Sequence, residues 1–387
     1  MSIDLLDLTE EQREIQKLAR DFARQEIAPH SADWDERSYF EPALVQKMGE
    51  LGFLGMLLPE EYDGLGVDTS TYLLALEEIA AVDASVAVMM SVHNSLPTSM
   101  ILRFGSQEQR DRFLRPMARG DILGAFALSE PEAGSDAAAL TTQAVRDGND
   151  WLLTGTKSWV TNGNTAGVIV TMARTDTRQE RRGARGIGAF LITPDLPGFH
   201  VGKKEEKMGL RASPTVQLTF DSMRVPSANL LGEPGMGFVY AMQSLSAGRL
   251  GIAAQAIGIA RAALEAATAY AAERRQFGTA IRDFQAIQFK LADMAMKVAA
   301  ARTLTHAAAA AKDRGHNVVQ ACSMAKLFAS ETAMFCTNQA VQIFGGYGYV
   351  KDYPVERLFR DAKVTEIYEG TSEIQRIVIA RHLYARD

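Results

Sequence analysis

The spacing of apolar residues changes twice along the chain, and each change marks a change of architecture. Up to about residue 120 the apolar positions recur every three to four residues, as on one face of a helix. Thr9 and Gln12 have capping-box spacing, and Ile15, Leu18, Ala19, Phe22 and Ala23 then form one stripe that ends before Pro29. A second helix is predicted over 42–51, where proline in a first turn is well tolerated. Residues 58–66 are rich in turn formers. Two more helices follow over 71–82 and 84–104, the later one nearly apolar all round and therefore interior. From Ile122 to about Val225 the period falls to two: 151–160, 168–172, 187–193 and 215–220 alternate as strands do, with Gly, Asn, Asp and Pro clusters between them. After Gly237 the helical period returns in Ala-rich segments over 250–272, 285–312 and 318–344, followed by shorter ones over 358–368 and 374–384. The pattern predicts an α+β multidomain fold. Its parts are an N-terminal α-helical domain (1–120), a middle antiparallel β-barrel domain (121–230) and a C-terminal four-helix-bundle domain (231–387).

Composition narrows the function classes. A chain of 387 residues, 47% hydrophobic and 23% charged, has room for two or three domains with substantial cores. The net charge of −6 and the lack of a long Lys/Arg run argue against nucleic acid as a partner. Arg181, Arg182 and Arg185 read as an exposed loop. Cys322 and Cys336 sit in apolar helical sequence, as buried thiols of a reducing compartment do. The acidic N-terminus lacks the basic start and apolar core of a signal peptide. No uninterrupted apolar run approaches about 18 residues, so the expectation is a cytoplasmic protein with no membrane insertion. The chain has neither a Gly-x-Gly-x-x-Gly between strand and helix nor a phosphate loop. Its six histidines are scattered without ligand spacing, so no metal site is expected.

The most informative stretch is Ile-Tyr-Glu-Gly-Thr-Ser-Glu-Ile-Gln at 367–375. A helix over 358–368 stops at Gly370, and Ser372 with Gln375 has capping-box spacing for a last helix carrying Ile374, Ile377 and Val378 on one face. Glu369 therefore lies on a joint, where backbone can approach a ligand closely. The helix N-terminus after it suits an anion such as a pyrophosphate. Among Ile367, Tyr368 and Ile374 a carboxylate suits a general base. A solvated helix-end glutamate fits the same letters.

Continued by Arg376, this stretch resembles the signature of the acyl-CoA dehydrogenases, and the order α, β, α is similar to that family's layout over essentially the whole chain. The resemblance implies FAD as cofactor and Glu369 as the base that removes the substrate α-proton. The segment 126–136 reads alone as a strand and a Pro/Gly turn. It resembles the family's first signature, which lies along the flavin, and so carries over Phe126, Leu128, Ser129 and Ser135, the serine also touching acyl-CoA. Trp159-Val-Thr-Asn-Gly163 reads alone as core at a strand end. In the family the Trp stacks near the flavin and the Thr donates to N5, roles that fall on Trp159 and Thr161. Arg274-Arg-Gln-Phe-Gly278 resembles the segment that meets the FAD pyrophosphate, giving Arg274 and Phe277, with Arg275 fitting a solvated cation equally well. Gln342-Ile-Phe-Gly-Gly346 resembles the stretch contacting the adenosine end of FAD bound mainly by a neighbouring subunit. It gives Gln342, Ile343, Gly345 and Gly346, and it implies a homo-oligomer, expected to be a tetramer. Thr371 and Glu373 complete the cofactor set.

On the substrate side the resemblance gives Ser135, Ser246, Arg249 and Gly370. Ser246 departs from the Asp common in straight-chain members, which puts the CoA-side contacts in question. Gly248 stands where the isovaleryl and long-chain types keep their catalytic Glu, so Glu369 is the base. The implied reaction is removal of the α-proton by Glu369 with passage of the β-hydride to flavin N5, giving a trans-2-enoyl-CoA. Its substrate would be a short straight or 2-methyl-branched acyl-CoA, in fatty acid β-oxidation or branched-chain amino acid catabolism, with the stretch from Ser91 to Ser95 and the downstream Leu96 in the pocket floor. An electron-transfer flavoprotein is the implied acceptor. An acyl-CoA oxidase reoxidised by oxygen is the alternative chemistry on the same fold. A nitroalkane-oxidase-like enzyme would carry Asp in place of Glu369, and a non-catalytic scaffold would not need Glu369, Thr161 and Arg274 together.

Overall fold

Thr9 caps the first helix as its spacing predicts: its hydroxyl accepts from the Gln12 N–H, and the Gln12 side chain accepts from the Thr9 N–H. The computed structural model describes residues 5–176 and 183–384, so the predicted loop arginines Arg181 and Arg182 lie outside the described residues. Arg185 is exposed in a turn. Helix α1 (Glu10–Phe22) runs through one π turn into α2 (Ser31–Arg37), followed by α3 (Pro42–Glu50), α4 (Thr69–Ala80), α5 (Ala84–His93), α6 (Ser99–Phe104) and α7 (Gln107–Arg119). The single helix expected over 84–104 is thus divided. Pro97 has no N–H to give its helix and crowds the preceding carbonyls, and a π turn at Asn94–Thr98 takes up the mismatch.

The middle of the chain forms β1 (Leu123–Ala127), β2 (Gln143–Asp147), β3 (Asp150–Thr161), β4 (Ala166–Arg174), β5 (Ile187–Ile192), β6 (Phe199–Lys204), β7 (Thr215–Val225) and β8 (Leu230–Leu231). The eight strands make one sheet, ordered β6-β7-β3-β2-β4-β5-β8 with β1 beside β4. Its pairing corrects the antiparallel expectation. β1 runs parallel to β4, Gly124 opposite Val168, because the β2–β3 hairpin intervenes and returns the chain in the same direction. The sheet is mixed.

A 37-residue helix, α8 (Gly237–Glu273), then crosses the molecule, starting well before residue 250. A small hairpin of β9 (Arg275–Gln276) and β10 (Thr279–Ala280) leads to α9 (Gln285–Asp313), α10 (Val319–Phe344), α11 (Val355–Thr365) and α12 (Ser372–Tyr384). α8 is long and apolar enough to cross a membrane by length and composition, yet 72% of its 18-residue apolar window is buried inside the protein. It is a core helix, packed by α10, α9, α4 and α5. One hydrophobic core therefore joins the first and last helical regions, while a second joins α7, the sheet and the start of α8. The α11–α12 turn meets α8 and α10 where these cores adjoin.

Candidate active site

The turn between α11 and α12 has a backbone that side-chain-bearing residues rarely adopt: Glu369 has φ 50° and Gly370 φ 94°. Such a turn directs its carbonyls inward, where they need donors. Lys326 Nζ, from α10, donates to the Gly370 carbonyl at 2.8 Å. Gln375 Nε2 donates to the same carbonyl at 2.9 Å and to that of Glu369 at 3.1 Å. Gln375 is thus turned back onto the turn, and the capping box expected from Ser372 and Gln375 does not form. Thr371 caps α12 instead: its hydroxyl accepts from the Ile374 N–H at 3.3 Å and its carbonyl from the Gln375 N–H at 2.9 Å.

This turn aims the Glu369 side chain inward. Both carboxylate oxygens are sealed from solvent without a hydrogen-bond partner, although the residue as a whole is partly exposed. Burial raises its pKa to about 7, against the pull of Lys326 and Arg249. Neither cation pairs with it directly. Lys326 is tied to the Gly370 carbonyl, and Arg249 Nη1 donates to Ser323 Oγ at 3.1 Å. A Cβ on Gly248 would lie 2.5 Å from Glu369 Oε2, so only glycine leaves room for the carboxylate against α8. One turn further along, a Cβ on Gly251 would lie 2.4 Å from Ser91 Oγ. The Ser91 hydroxyl and the neighbouring Tyr72 hydroxyl are buried without a well-formed hydrogen bond. Behind them the Tyr368 hydroxyl donates to the Gln255 side-chain oxygen, and Gln255 Nε2 donates to the Ala84 carbonyl at 2.7 Å. Ser95 donates to the Ser91 carbonyl at 2.7 Å, so it serves the π turn, as does Asn94.

The other predicted residues fall into two groups. Leu128 and Ser129 are laid against β3, the strand that carries Trp159 and Thr161, with Phe126 just before them on β1 and Ser135 in the bend that follows. Lys157 Nζ donates to the Leu128 carbonyl at 3.0 Å and to Glu130 Oε1 at 2.8 Å, while the Ser158 N–H donates to the Ser129 carbonyl at 2.9 Å. Trp159 is no core residue. A shift of register between Lys157 and Val160 gives it φ 62° and leaves it 63% exposed. Thr161 is half-buried and Ser135 exposed. In the second group the Arg274 guanidinium lies 5.3 Å from the Tyr347 ring centroid, beside Gln342, Gly345 and Gly346 at the end of α10. Phe277 is 96% exposed with φ 53°. Ile343 is packed in the core.

The structure unites Glu369, Gly370 and Arg249 but not Arg274. From Gly248 to Arg274 is 274 − 248 = 26 residues of α8 and its cap, about 40 Å at 1.5 Å per residue. Ser246 Oγ donates back to the Met242 carbonyl at 2.9 Å. Thr371 and Glu373 lie at the start of α12, and Glu373 is exposed. Among the described residues no three His, Cys, Asp or Glu side chains gather as metal ligands, and both cysteines are buried free thiols. Sequence reasoning did not find Lys326, Gln255 or Tyr72. For Lys326 the signal was there: a lone cation in the apolar stretch from Cys322 to Ala329.

Comparison with known proteins decides the lineage. Models of the acyl-CoA dehydrogenase N-terminal, middle and C-terminal domains match residues 9–121, 125–223 and 235–384 in order. The chain belongs to the acyl-CoA dehydrogenase family. Acyl-CoA dehydrogenases are FAD-dependent flavoprotein oxidoreductases acting on acyl-CoA. The chain is 50% identical to the mitochondrial short-chain specific acyl-CoA dehydrogenase of Mus musculus, over 98% of this chain and 91% of that protein. It superposes on butyryl-CoA dehydrogenase from Megasphaera elsdenii with TM-score 0.95 at 43% identity, over 98% and 100% of the two chains. A chain from work on the electron transferring flavoprotein of Acidaminococcus fermentans and flavin-based electron bifurcation gives TM-score 0.96 at 47% identity, over all of both chains. The residues present fit FAD. Trp159 offers an exposed aromatic face held outward by its backbone, and an added Cβ at Gly345, Gly346 or Gly278 would meet nothing, leaving open backbone beside the Arg274 cation.

Proposed function

We propose that this acyl-CoA dehydrogenase oxidises short acyl-CoA thioesters, straight or 2-methyl-branched, to trans-2-enoyl-CoA, with Glu369 as the base. The observation that carries the reading is the Glu369 carboxylate, sealed, without a hydrogen-bond partner, and poised at a pKa of about 7. Near neutral pH such a group is largely ready to accept a proton and, once protonated, is stable where it lies. The left-handed turn fixes its direction, and Gly248 gives it space against α8. Gly370 lets substrate pass close to the backbone, and Arg249 adds positive charge beside the base. Bound FAD supplies the hydride acceptor. Phe126, Leu128, Ser129, Ser135, Trp159 and Thr161 would hold the ring end, Trp159 by stacking and Thr161 by a hydrogen bond. The short-chain preference is supported by the mouse and Megasphaera relatives.

The distance along α8 supports a shared cofactor site. A group held by Trp159 and Thr161 near Glu369 is out of reach of Arg274, Phe277, Gln342, Ile343, Gly345 and Gly346 of the same chain, which would serve FAD in a neighbouring subunit of a homo-oligomer, taken to be a tetramer. Thr371 and Glu373 lie on the base's own turn and would meet the local cofactor. Ser246, tied to its own helix, would offer substrate only a lone pair. Domain limits at 120 and 230, a cytoplasmic location and reoxidation by an electron-transfer flavoprotein belong to the same reading, the last supported by the Acidaminococcus match.

Anaerobic titration of the purified holoenzyme with butyryl-CoA and isobutyryl-CoA, followed in the visible flavin band, tests it. Bleaching by butyryl-CoA is expected, and isobutyryl-CoA ranks the branched shape. A yellow protein that neither substrate bleaches, or activity rising steadily from butyryl- to octanoyl-CoA, refutes the short-chain assignment.

A further inference from the structure

Lys326 has no solvent-exposed surface, in the middle of α10, with Ala325 and Ala329 beside it. Burying an ammonium group costs several kcal/mol unless it is partnered, so its partner shows what it is for. That partner is the Gly370 carbonyl at 2.8 Å, and not the carboxylate one residue away, whose two oxygens both lack a hydrogen bond. We propose that Lys326 is a positioning residue for the base: anchored to the Gly370 carbonyl, it holds the left-handed Glu369–Gly370 turn and keeps a positive charge beside the carboxylate without pairing with it. The inference rests on the reading of Glu369 as the base.

The molecule contains its own control. Lys157, equally buried, does pair with a carboxylate, its Nζ lying 2.8 Å from Glu130 Oε1. Burial pushes Glu130 up, but the charge and hydrogen bond of Lys157, with further bonds from Thr142 and Thr141, bring it down to about 2. A carboxylate so low is a poor proton acceptor near neutral pH. Glu369 also has a buried lysine nearby, but that lysine is bound elsewhere, and its pKa stays near 7. Lys157 also donates to a carbonyl, that of Leu128, yet still reaches Glu130; what separates the two outcomes is that no donor reaches the Glu369 oxygens. The groups acting on the carboxylate are Lys326 from α10, Arg249 from α8, the Tyr72 hydroxyl from α4 and the adjacent Tyr368. Those acting on Lys326 are Glu369, Arg249, Glu366 and Glu373, and burial holds Lys326 itself down to about 8. Arg249 is occupied by Ser323, so Lys326 alone couples charge to the turn's own backbone. The two groups titrate as a pair.

The test uses holoenzyme carrying Lys326→Gln or Lys326→Met, with flavin absorbance confirming that the cofactor is retained. Loss of the cation raises the carboxyl pKa, so the acidic limb of kcat/KM for butyryl-CoA should move to higher pH by about one unit or more in both variants. Lys326→Met, which also removes the donor to Gly370, should in addition lose about tenfold or more in kcat at the plateau. Infrared titration of ¹³C-glutamate-labelled protein, taken as a difference from Glu369→Gln, reads the same carboxyl without turnover. An acidic limb and a carboxyl titration left at their wild-type positions in both variants would overturn the positioning role while leaving Glu369 as base. Retained turnover in Glu369→Gln would instead sink the base itself.

Discussion

The carboxylates of Glu77 and Glu369 are both sealed from solvent close to basic side chains, and they end at opposite extremes. Glu77, on α4, accepts from Arg302 Nε at 2.8 Å, and His306 Nε2 lies 2.8 Å from its other oxygen, both partners coming from α9. Burial pushes it up, but the hydrogen bond with His306 and the charges of His306, Arg302 and Arg261 together bring it down to about 2. Glu369 has Lys326 and Arg249 nearby, yet no donor reaches its oxygens, and burial wins. The number of neighbouring cations therefore does not decide the protonation state of a buried acid. What decides it is whether those cations are free to reach it. At Glu77 they are aimed at the carboxylate and clamp α4 to α9. At Glu369 they are committed to Gly370 and Ser323, and the carboxylate is left with unused proton affinity. One arrangement holds helices together, and the other, on the proposed reading, keeps a base.

The sharpest way to break this contrast is to neutralise each acid in turn. Glu369→Gln preserves shape but cannot take a proton. It should keep its flavin and lose about 100- to 10,000-fold in turnover with butyryl-CoA; steady-state rates near wild type would move the base elsewhere. Glu77→Leu should behave in the reverse sense. It deletes the carboxylate that Arg302 and His306 share, and breaking such a buried pair costs about 3–5 kcal/mol. Denaturant unfolding should show that loss while kcat/KM, measured where the variant is folded, stays close to wild type. An unfolding midpoint unchanged from wild type would mean the cluster contributes no net stability.

How much of this contrast could be read from sequence depends on the range of the interaction. Glu369 could be singled out as a candidate from local signals: an apolar flank, a glycine after it and a helix start beyond. Those letters fit a solvated glutamate equally, and the family resemblance was needed to assign it a role. The three-part architecture was also legible, since helical and strand periods are set by residues a few positions apart. The mixed sheet was not, because β1 and β4 are partners across some forty residues and both read simply as apolar runs. β6, mostly exposed, carries no alternation to read. Trp159 read alone as core because a bulge, which turned it outward, has no signature in five letters. Lys326, Gln255 and Tyr72 reach the site from three different helices, and Gln375 was given a cap to make when two carbonyls of a strained turn had a stronger claim on it. The family resemblance proposed ring-side roles for residues that residue-level reasoning left as turn or core.

The two acids should also respond to pH with opposite sign. Glu369 rises from an ordinary 4.5 to about 7 on folding, so the folded state binds the extra proton and is favoured below 4.5. That stability is lost as pH climbs through 7, a cost reaching about 3 kcal/mol above it. Glu77 falls from 4.5 to about 2, so its contribution is present above 4.5 and is lost as pH drops toward 2. Glu369→Gln should therefore match wild type in unfolding free energy near pH 4.5 and exceed it above about pH 7, by up to about 3 kcal/mol. An equal gap at both pH values would mean that the carboxylate finds a partner in solution.

The smallest change that separates the two arrangements is one methyl group on α8. Glu77 is held from its charged end, so crowding beside it would be resisted by two short hydrogen bonds. Glu369 is held only through its backbone, and its carboxylate keeps its place because Gly248 leaves a gap there. Alanine at 248 would set a Cβ 2.5 Å from Oε2, too close for a carbon and an oxygen, and the carboxylate is the more mobile of the two. α8 itself gains from the exchange, since alanine suits a helix interior better than glycine by about 1 kcal/mol. Gly248→Ala is thus expected to fold as well as wild type and bind flavin normally, yet to lose about tenfold in kcat, roughly 1.4 kcal/mol of transition-state stabilisation. Because the acid remains and only its direction changes, KM for butyryl-CoA should move less than kcat. Wild-type kcat in this variant would show that the carboxylate swings freely, and the tethered turn would then no longer explain how the base is aimed.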